Sequence, residues 1–459
     1  MNYDKHKKTG GFIMYKALLQ KNDSFTKKAN ASYFLLKKIA VYLSDLTFTL
    51  DNLLDKRLVE TFYNLFVAIL LNRNRSIGLL LSELGGFICG FNHAPAGTKR
   101  ISNLLRSKKW TATVIDDFLF ARSKKRIEQL IQIGKRPLLV WDDSKIEKHE
   151  SWFTEGLCSV ESSKGKRLTK VKKGFYRPPV SRICVPGYHW TATLLSALGE
   201  APSVCQMTWW TTRGKHKEHG TNIIFRVLEK LHRSIGKGVL HVLDRGYANA
   251  WTIEWFTFFQ QDFLVRWKKN HLLIHADKGK KKTHLLARSF KAKHRKVVFD
   301  NQRKIAKSIS IAWAEVQHPD FEGSLLSLVI VRDRKNHQSP LYLLTSIQIN
   351  NVEQAWEMCH SYMHRWSIEQ SFRFCKTELA IESPRLWFFE NTCKLLGIVA
   401  LIYDFLMNLI NNWGNWIQLA LKRWCHRTGN RYRNVSIPIY RLRIAIHNIL
   451  WISFAQNSG

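Results

Sequence analysis

Residues 136–143 read RPLLVWDD, and the class of the whole fold turns on whether this run is helix or strand. Four consecutive apolar residues lie between a proline and two carboxylates, with none of the three- and four-residue spacing of an amphipathic helix. Such a run fits a buried strand. Residues 239–247, VLHVLDRGY, repeat the pattern: an apolar strand reaches Asp244, Gly246 marks a turn, and a helical period follows. Strand-like runs YHWTATLLSAL (188–198), VCQMTWWTT (204–212) and FLVRW (263–267) surround the helix-like NIIFRVLEKLHRSIG (222–236). This alternation describes a mixed α/β core.

On the N-terminal side, apolar residues recur at helical spacing in VYLSDLTFTLDNLLDKRLVETFYNLFVAILL and SIGLLLSELGGF. In APAGTKRISNLLRSKKW, Lys99, Arg100 and Arg106 surround an apolar stripe of Ile101, Leu104 and Leu105. Two readings stand for it, a solvated face on a small helical domain or a helix presented to DNA in helix-turn-helix fashion. On the C-terminal side, residues 265–308 hold fifteen Lys and Arg against two acids, and strand-like runs continue to 349. The helical period then returns. The expected organisation is a helical region over 1–130, a first core segment over 131–265, a basic β-rich insertion over 266–350, a second core segment over 351–425 and a basic tail over 426–459. The chain shows no solenoid-type repeat.

Charge narrows the partners. Lys and Arg number 72 against 35 Asp and Glu, a formal +37, which points to a polyanion and says little about fold. A membrane is the weaker partner. The runs LVETFYNLFVAILL (58–71) and LLGIVALIYDFLMNLI (395–410) fall short of the roughly 20 residues a span needs, and Glu60 and Asp404 interrupt them. The first twenty residues lack a signal-peptide core and cleavage site, so the expected location is the cytoplasm or nucleoid. Eight scattered cysteines form no CxxC pair and no zinc-spaced cluster, which argues against a structural zinc and fits small buried thiols.

Strand ends in open α/β sheets are where ligands collect. Taken alone, an Asp there is often a turn or cap residue. Several carboxylates at strand ends of a strongly cationic chain point instead to divalent ions, since two hard cations held by Asp and Glu oxygens can cut a phosphodiester. A third carboxylate is then expected. In YMHRWSIEQSFRFCK (362–376), on one continuous helix at about 100° per residue, Tyr362, Arg365, Glu369, Arg373 and Lys376 share a narrow face. Glu369 on that face either makes ordinary i,i+4 pairs with Arg365 and Arg373 or works inside a phosphate clamp.

The spacing Tyr-x2-Arg-x3-Glu-x6-Lys at 362, 365, 369 and 376 resembles the YREK signature of insertion-sequence transposases of the IS-four and Tn-five type, DDE enzymes with a ribonuclease-H-like core. The other elements of that family occur in order: Asp143 followed by Ser144, Asp244 followed by Arg245, a β-rich insertion, then the signature. The resemblance covers most of residues 90–410. It implies that Asp143, Asp244 and Glu369 bind two Mg2+ ions, which Mn2+ can replace, with Asp142 as the alternate to Asp143. It further implies that Tyr362, Arg365 and Lys376 hold the phosphate near the cleaved end and that Arg266 and Lys268 contact DNA. Relatives carry a base-stacking Trp in the last strand of the insertion. Leu341 stands there in this chain, leaving Tyr342 and Trp313 as candidate stacking rings. The function so implied is cut-and-paste transposition: binding of terminal inverted repeats in double-stranded DNA by a homodimer, hydrolysis, and transfer of the freed 3′ hydroxyls. A two-metal nuclease or recombinase without strand transfer, and a non-catalytic repressor, are the rivals.

Overall fold

In the computed structural model of the chain, RPLLVWDD feeds a strand, β1 (Leu138–Glu147), that runs on past both acids. The residues described are 27–72, 78–151, 153–165, 168, 171, 173–179, 182–197, 199–300, 305–333, 339–425 and 439–455. Residues 1–26 of the expected helical region, and residues 426–438 and 456–459 of the expected basic tail, lie outside them.

β1 is antiparallel to β3 (Cys184–Ser196), which also pairs with β2 (Cys158–Glu161) and β4 (Ser203–Trp210). On its other side β1 is parallel to β5 (Leu240–Leu243), and β5 is parallel to β6 (Asp262–Arg266). Parallel neighbours need crossovers. Helix α6 (Gly220–Ile235) precedes β5, and α7 (Ala250–Phe258) joins β5 to β6. Ile223, Ile224, Val227, Leu228 and Leu231 of α6 are buried, the one-sided stripe of a helix laid on a sheet.

Strands β7 (Leu272–His275), β8 (Gly279–Lys282), β9 (His294–Asp300), β10 (Ile305–His318), β11 (Phe321–Asp333) and β12 (Leu341–Thr345) extend the same sheet, because β12 lies antiparallel against β6. Among the described residues the sheet has twelve strands, in the order β2-β3-β1-β5-β6-β12-β11-β10-β7-β8, with β4 on β3 and β9 on β10. A short helix, α8 (Thr283–Arg288), follows β8.

Alternate residues of a strand face opposite sides. Leu138 and Val140 enter a core shared with the C-terminal helices, while Leu139 and Trp141 enter the core under α6 and α7. The C-terminal helices are α9 (Val352–Met363), α10 (Trp366–Thr377), α11 (Phe389–Asn412), α12 (Gly414–Trp424) and α13 (Ile439–Ala455). Helix α11 has 24 residues, and by length and composition alone it could cross a membrane. Within the fold, 83% of its apolar window is buried.

The N-terminal helices are α1 (Lys27–Asp51), α2 (Lys56–Leu71), α3 (Leu81–Cys89), α4 (Ala94–Arg106) and α5 (Thr113–Gln132). They share one core with α11. Tyr42 donates to the Asp404 carboxylate at 2.8 Å, and Lys394 donates to the Leu105 and Ser107 carbonyls at 3.0 and 2.7 Å. Asp55 starts α2 by accepting the Arg57 and Leu58 N–H groups at 3.0 and 3.1 Å. Helices α3 and α4 touch at two glycines: a Cβ on Gly97 would lie 2.1 Å from the Gly85 carbonyl oxygen.

Candidate active site

The two acids at the end of RPLLVWDD go to opposite faces of the sheet. Asp142 faces α10, where Arg365 Nη1 donates to its Oδ2 at 3.4 Å. Asp143 faces the other way, and Thr191 Oγ1, opposite it on β3, donates to its Oδ1 at 2.6 Å. Trp210 Nε1 holds that threonine in turn, at 3.0 Å. The buried Tyr247 hydroxyl has no hydrogen-bond partner of ordinary geometry and stands beside Asp143.

Asp244 follows β5 and caps the tight turn over residues 245–247, accepting the Gly246 N–H at 2.5 Å. A Cβ at 246 would sit 2.9 Å from Asp244 Oδ1, so glycine lets the turn close on the carboxylate. The three aspartates act on one another. Burial and then the Asp244 charge push the Asp142 carboxyl up to about 7, against the pull of Arg365. Burial also raises Asp143, with Asp244 adding to the rise, while the hydrogen bond from Thr191 and the nearby Tyr247 hydroxyl work against it. Burial holds the Tyr247 phenol well above its ordinary value, and the neighbouring aspartates push the same way.

The stretch YMHRWSIEQSFRFCK is not one helix, as its spacing suggests. Tyr362 lies in the last turn of α9, which ends at Met363, and α10 begins at Trp366. Between them the backbone tightens into i→i+3 bonds, His364 to Ser361, Arg365 to Tyr362, Ser367 to His364 and Ile368 to Arg365, at 3.0–3.2 Å. The single narrow face is therefore broken at Arg365. That break serves Arg365 well: its guanidinium donates to Asp142 and also to Glu369, one turn into α10. Tyr362 lies beneath, its ring 5.8 Å from the Arg365 guanidinium carbon, and burial raises its phenol against the charges of Arg365 and Arg266.

The other sequence candidates are dispersed. Arg266, exposed at the end of β6, stands near Tyr362 and opposite Leu343 of β12. Lys268 donates to the Asn249 side chain at 3.2 Å, whose amide donates to the Gly246 carbonyl at 3.1 Å, so it braces the Asp244 turn. Lys376 lies two turns beyond Glu369, donating to the Lys145 carbonyl at 2.5 Å and pairing with Glu382 at 3.3 Å. Arg373 turns to the exposed side of α10, 5.9 Å over the Trp366 ring. Lys99, Arg100 and Arg106 are exposed on α4 while Ile101, Leu104 and Leu105 are buried. Tyr342 is packed in the core under α6 and α7. Trp313 is half-buried across from Val329, tilted against His294.

The donor set consists of carboxylate oxygens, the ligands that hard divalent ions take. Asp142 and Asp244, mutually repelling and partly desolvated, fit such an ion. Glu369 reaches them only through Arg365, and among the described residues no three His, Cys, Asp or Glu side chains form a group able to hold a metal. Sequence reasoning missed Thr191 and Tyr247. Tyr247 was within reach, since it closes the DRGY turn, whereas Thr191 acts through strand register that no local pattern displays.

Residues 205–405 match the family model described as Transposase DDE domain, a span that includes Asp244 and Glu369 and begins after Asp142 and Asp143. No curated protein matches the chain. Among solved structures the chain is similar to piggyBac transposase, in the cryo-EM structure of its synaptic complex with hairpin DNA, at 10% identity over 88% of this chain and 73% of that one, with a TM-score of 0.42. Over residues 205–405, which carry two of its candidate carboxylates, the chain is thus similar to the DDE domain of transposases.

Proposed function

We propose that the chain is a metal-dependent DNA transposase that cuts at the terminal inverted repeats of its own element and joins the freed 3′ hydroxyls to target DNA. One observation carries the reading: just past the parallel pairing of β1 with β5, Asp142 feels the charge of Asp244 and is joined by Arg365 to Glu369 on the helix above. The order β4-β3-β1-β5-β6, three antiparallel strands and then two parallel to β1, supports a ribonuclease-H-like core of the IS-four and Tn-five type.

Within this reading the sheet face favours Asp142 over Asp143 as the partner of Asp244 and Glu369, although the Asp-then-Ser pattern favours Asp143. Magnesium ions bound there would polarise the phosphodiester and activate water or the 3′ hydroxyl. The chain's own groups bind and orient: Asp142, Asp244 and Glu369 would hold the ions, while Arg365, Tyr362 and Arg266 would grip the phosphate beside them. Arg suits a forked contact with phosphate oxygens, and Lys376 acts as a point charge further along the strand. The basic strands beyond β6 and the exposed arginines and lysine of α4 would hold the duplex. Paired DNA ends call for two copies of the chain, working where the cell keeps its DNA.

The deciding experiment incubates purified protein with Mg2+ and a labelled duplex carrying the element's ends. Joined products support a transposase, nicking without joining a nuclease or recombinase, and binding without cutting a repressor. Asp142→Ala, Asp244→Ala and Glu369→Ala are each expected to abolish cutting and leave end binding intact. A Glu369→Ala protein that still cuts would sink the site assignment, and full activity in Asp142→Ala with none in Asp143→Ala would return the first carboxylate to Asp143.

A further inference from the structure

Large aromatic side chains are seldom left open to water in groups, yet three lie exposed on two neighbouring segments of this chain. Phe153 is 82% exposed, Trp387 65% and Phe388 46%. They belong to two segments tied to each other. The Glu155 N–H donates to the Trp387 carbonyl at 2.9 Å, and the Glu155 carboxylate accepts the Phe389 N–H at 3.0 Å. Buried Lys148 braces the second segment from below, donating to the Glu382 and Pro384 carbonyls at 2.7 Å each. The rings sit on a fixed shelf.

Two cations flank the rings. Lys215 pairs with Glu155 at 2.9 Å and Arg385 with Glu150 at 2.5 Å, both on the surface. Exposed pairs of this kind add little stability, so a phosphate can draw either cation away at small cost. Gly174 lies against the His149 backbone and Phe175 stacks on the His149 ring, so exposed Lys173 stands near the Glu150–Arg385 pair. The shelf also adjoins the catalytic strand. Glu382, in the braced segment, pairs with Lys376, and Lys376 donates to the carbonyl of Lys145, two residues past Asp143.

We infer that Phe153, Trp387 and Phe388 form a nucleobase-stacking site for unpaired DNA leading away from the active site, an inference that rests on the DNA reading above. Aromatic faces take any base, and flanking cations hold the backbone. The test compares the full chain's affinity for a short fluorescent single strand and for the same strand built with abasic sites, at fixed salt. The unaltered protein is expected to prefer the base-bearing strand by about tenfold. Phe153→Ala combined with Trp387→Ala should lose most of that preference while duplex affinity and thermal melting hold, and Trp387→Phe should keep it. No base preference in the unaltered protein, or the same preference in the double variant, overturns the shelf. A double variant that keeps its preference but loses self-association in sedimentation makes the rings an interface between copies, which overturns it too. Failure of the unaltered protein to bind any DNA would remove the DNA reading itself, and the shelf with it.

Discussion

Asp142 is held where its charge is costly. Burial and the Asp244 charge raise its carboxyl from the ordinary 3.8 to about 7. A raised acid favours the fold in its protonated form, so its contribution is full below its unfolded value and is lost as pH rises toward 7. Asp142→Asn is therefore expected to stabilise the chain at about pH 8 by roughly 2–4 kcal/mol, with the gain vanishing below about pH 4, while DNA cutting disappears. Thermal melts across pH check this, and a variant less stable than the parent at neutral pH would contradict it. Part of this was legible beforehand. Residue parity along β1 already puts Asp142 with Leu138 and Val140. Which face α10 would cover was not legible, because that is decided by chain returning more than two hundred residues later.

At the scale of elements, the short apolar runs ending in acids were readable as strands because burial on both faces leaves no room for alternation. The signature stretch was misread as continuous because neither Gly nor Pro marks residues 364–367. The i→i+3 tightening there answers to tertiary contacts, with Arg365 drawn between Asp142 and Glu369. The α3–α4 pair makes a sharper case for local chemistry. Gly97→Val would drive a branched side chain into the Gly85 backbone, which cannot yield, and is expected to cost about 3 kcal/mol or more in denaturant unfolding. Lys99→Ala with Arg100→Ala, on the exposed face of the same helix, should leave melting unchanged. If that pair of changes also leaves DNA affinity unchanged, α4 is only a solvated helix, the plainer of its two readings.

For the molecule as a whole, the formal +37 has at least one clear location. Strand β8 ends the main strand order, and all four of its residues, Gly279 to Lys282, are exposed. Lysines on such an edge keep other strands from adding to it and also suit a phosphate backbone. Replacing Lys280, Lys281 and Lys282 by Ala should weaken DNA binding across sequences and reduce the slope of log affinity against log salt by about 2 to 3. An unchanged slope would leave edge protection as their sole role. The sheet's continuity from β1 to β8 was beyond sequence reasoning, which read the basic stretch as an insertion without the pairing of β12 on β6.

Arg365 brings the scales together. It is one cation shared by two carboxylates that a metal ion would also claim. On the proposed function, a DNA phosphate taken up by Arg365 would release the carboxylates, and DNA and metal would become ligands of a single equilibrium. Whatever factor DNA adds to metal affinity, metal must return to DNA affinity. Mn2+ titrations with and without a duplex are expected to differ by about tenfold in the parent chain and to coincide in Arg365→Gln. Such a protein would carry an empty metal centre between substrates and fill it on the DNA it is about to cut.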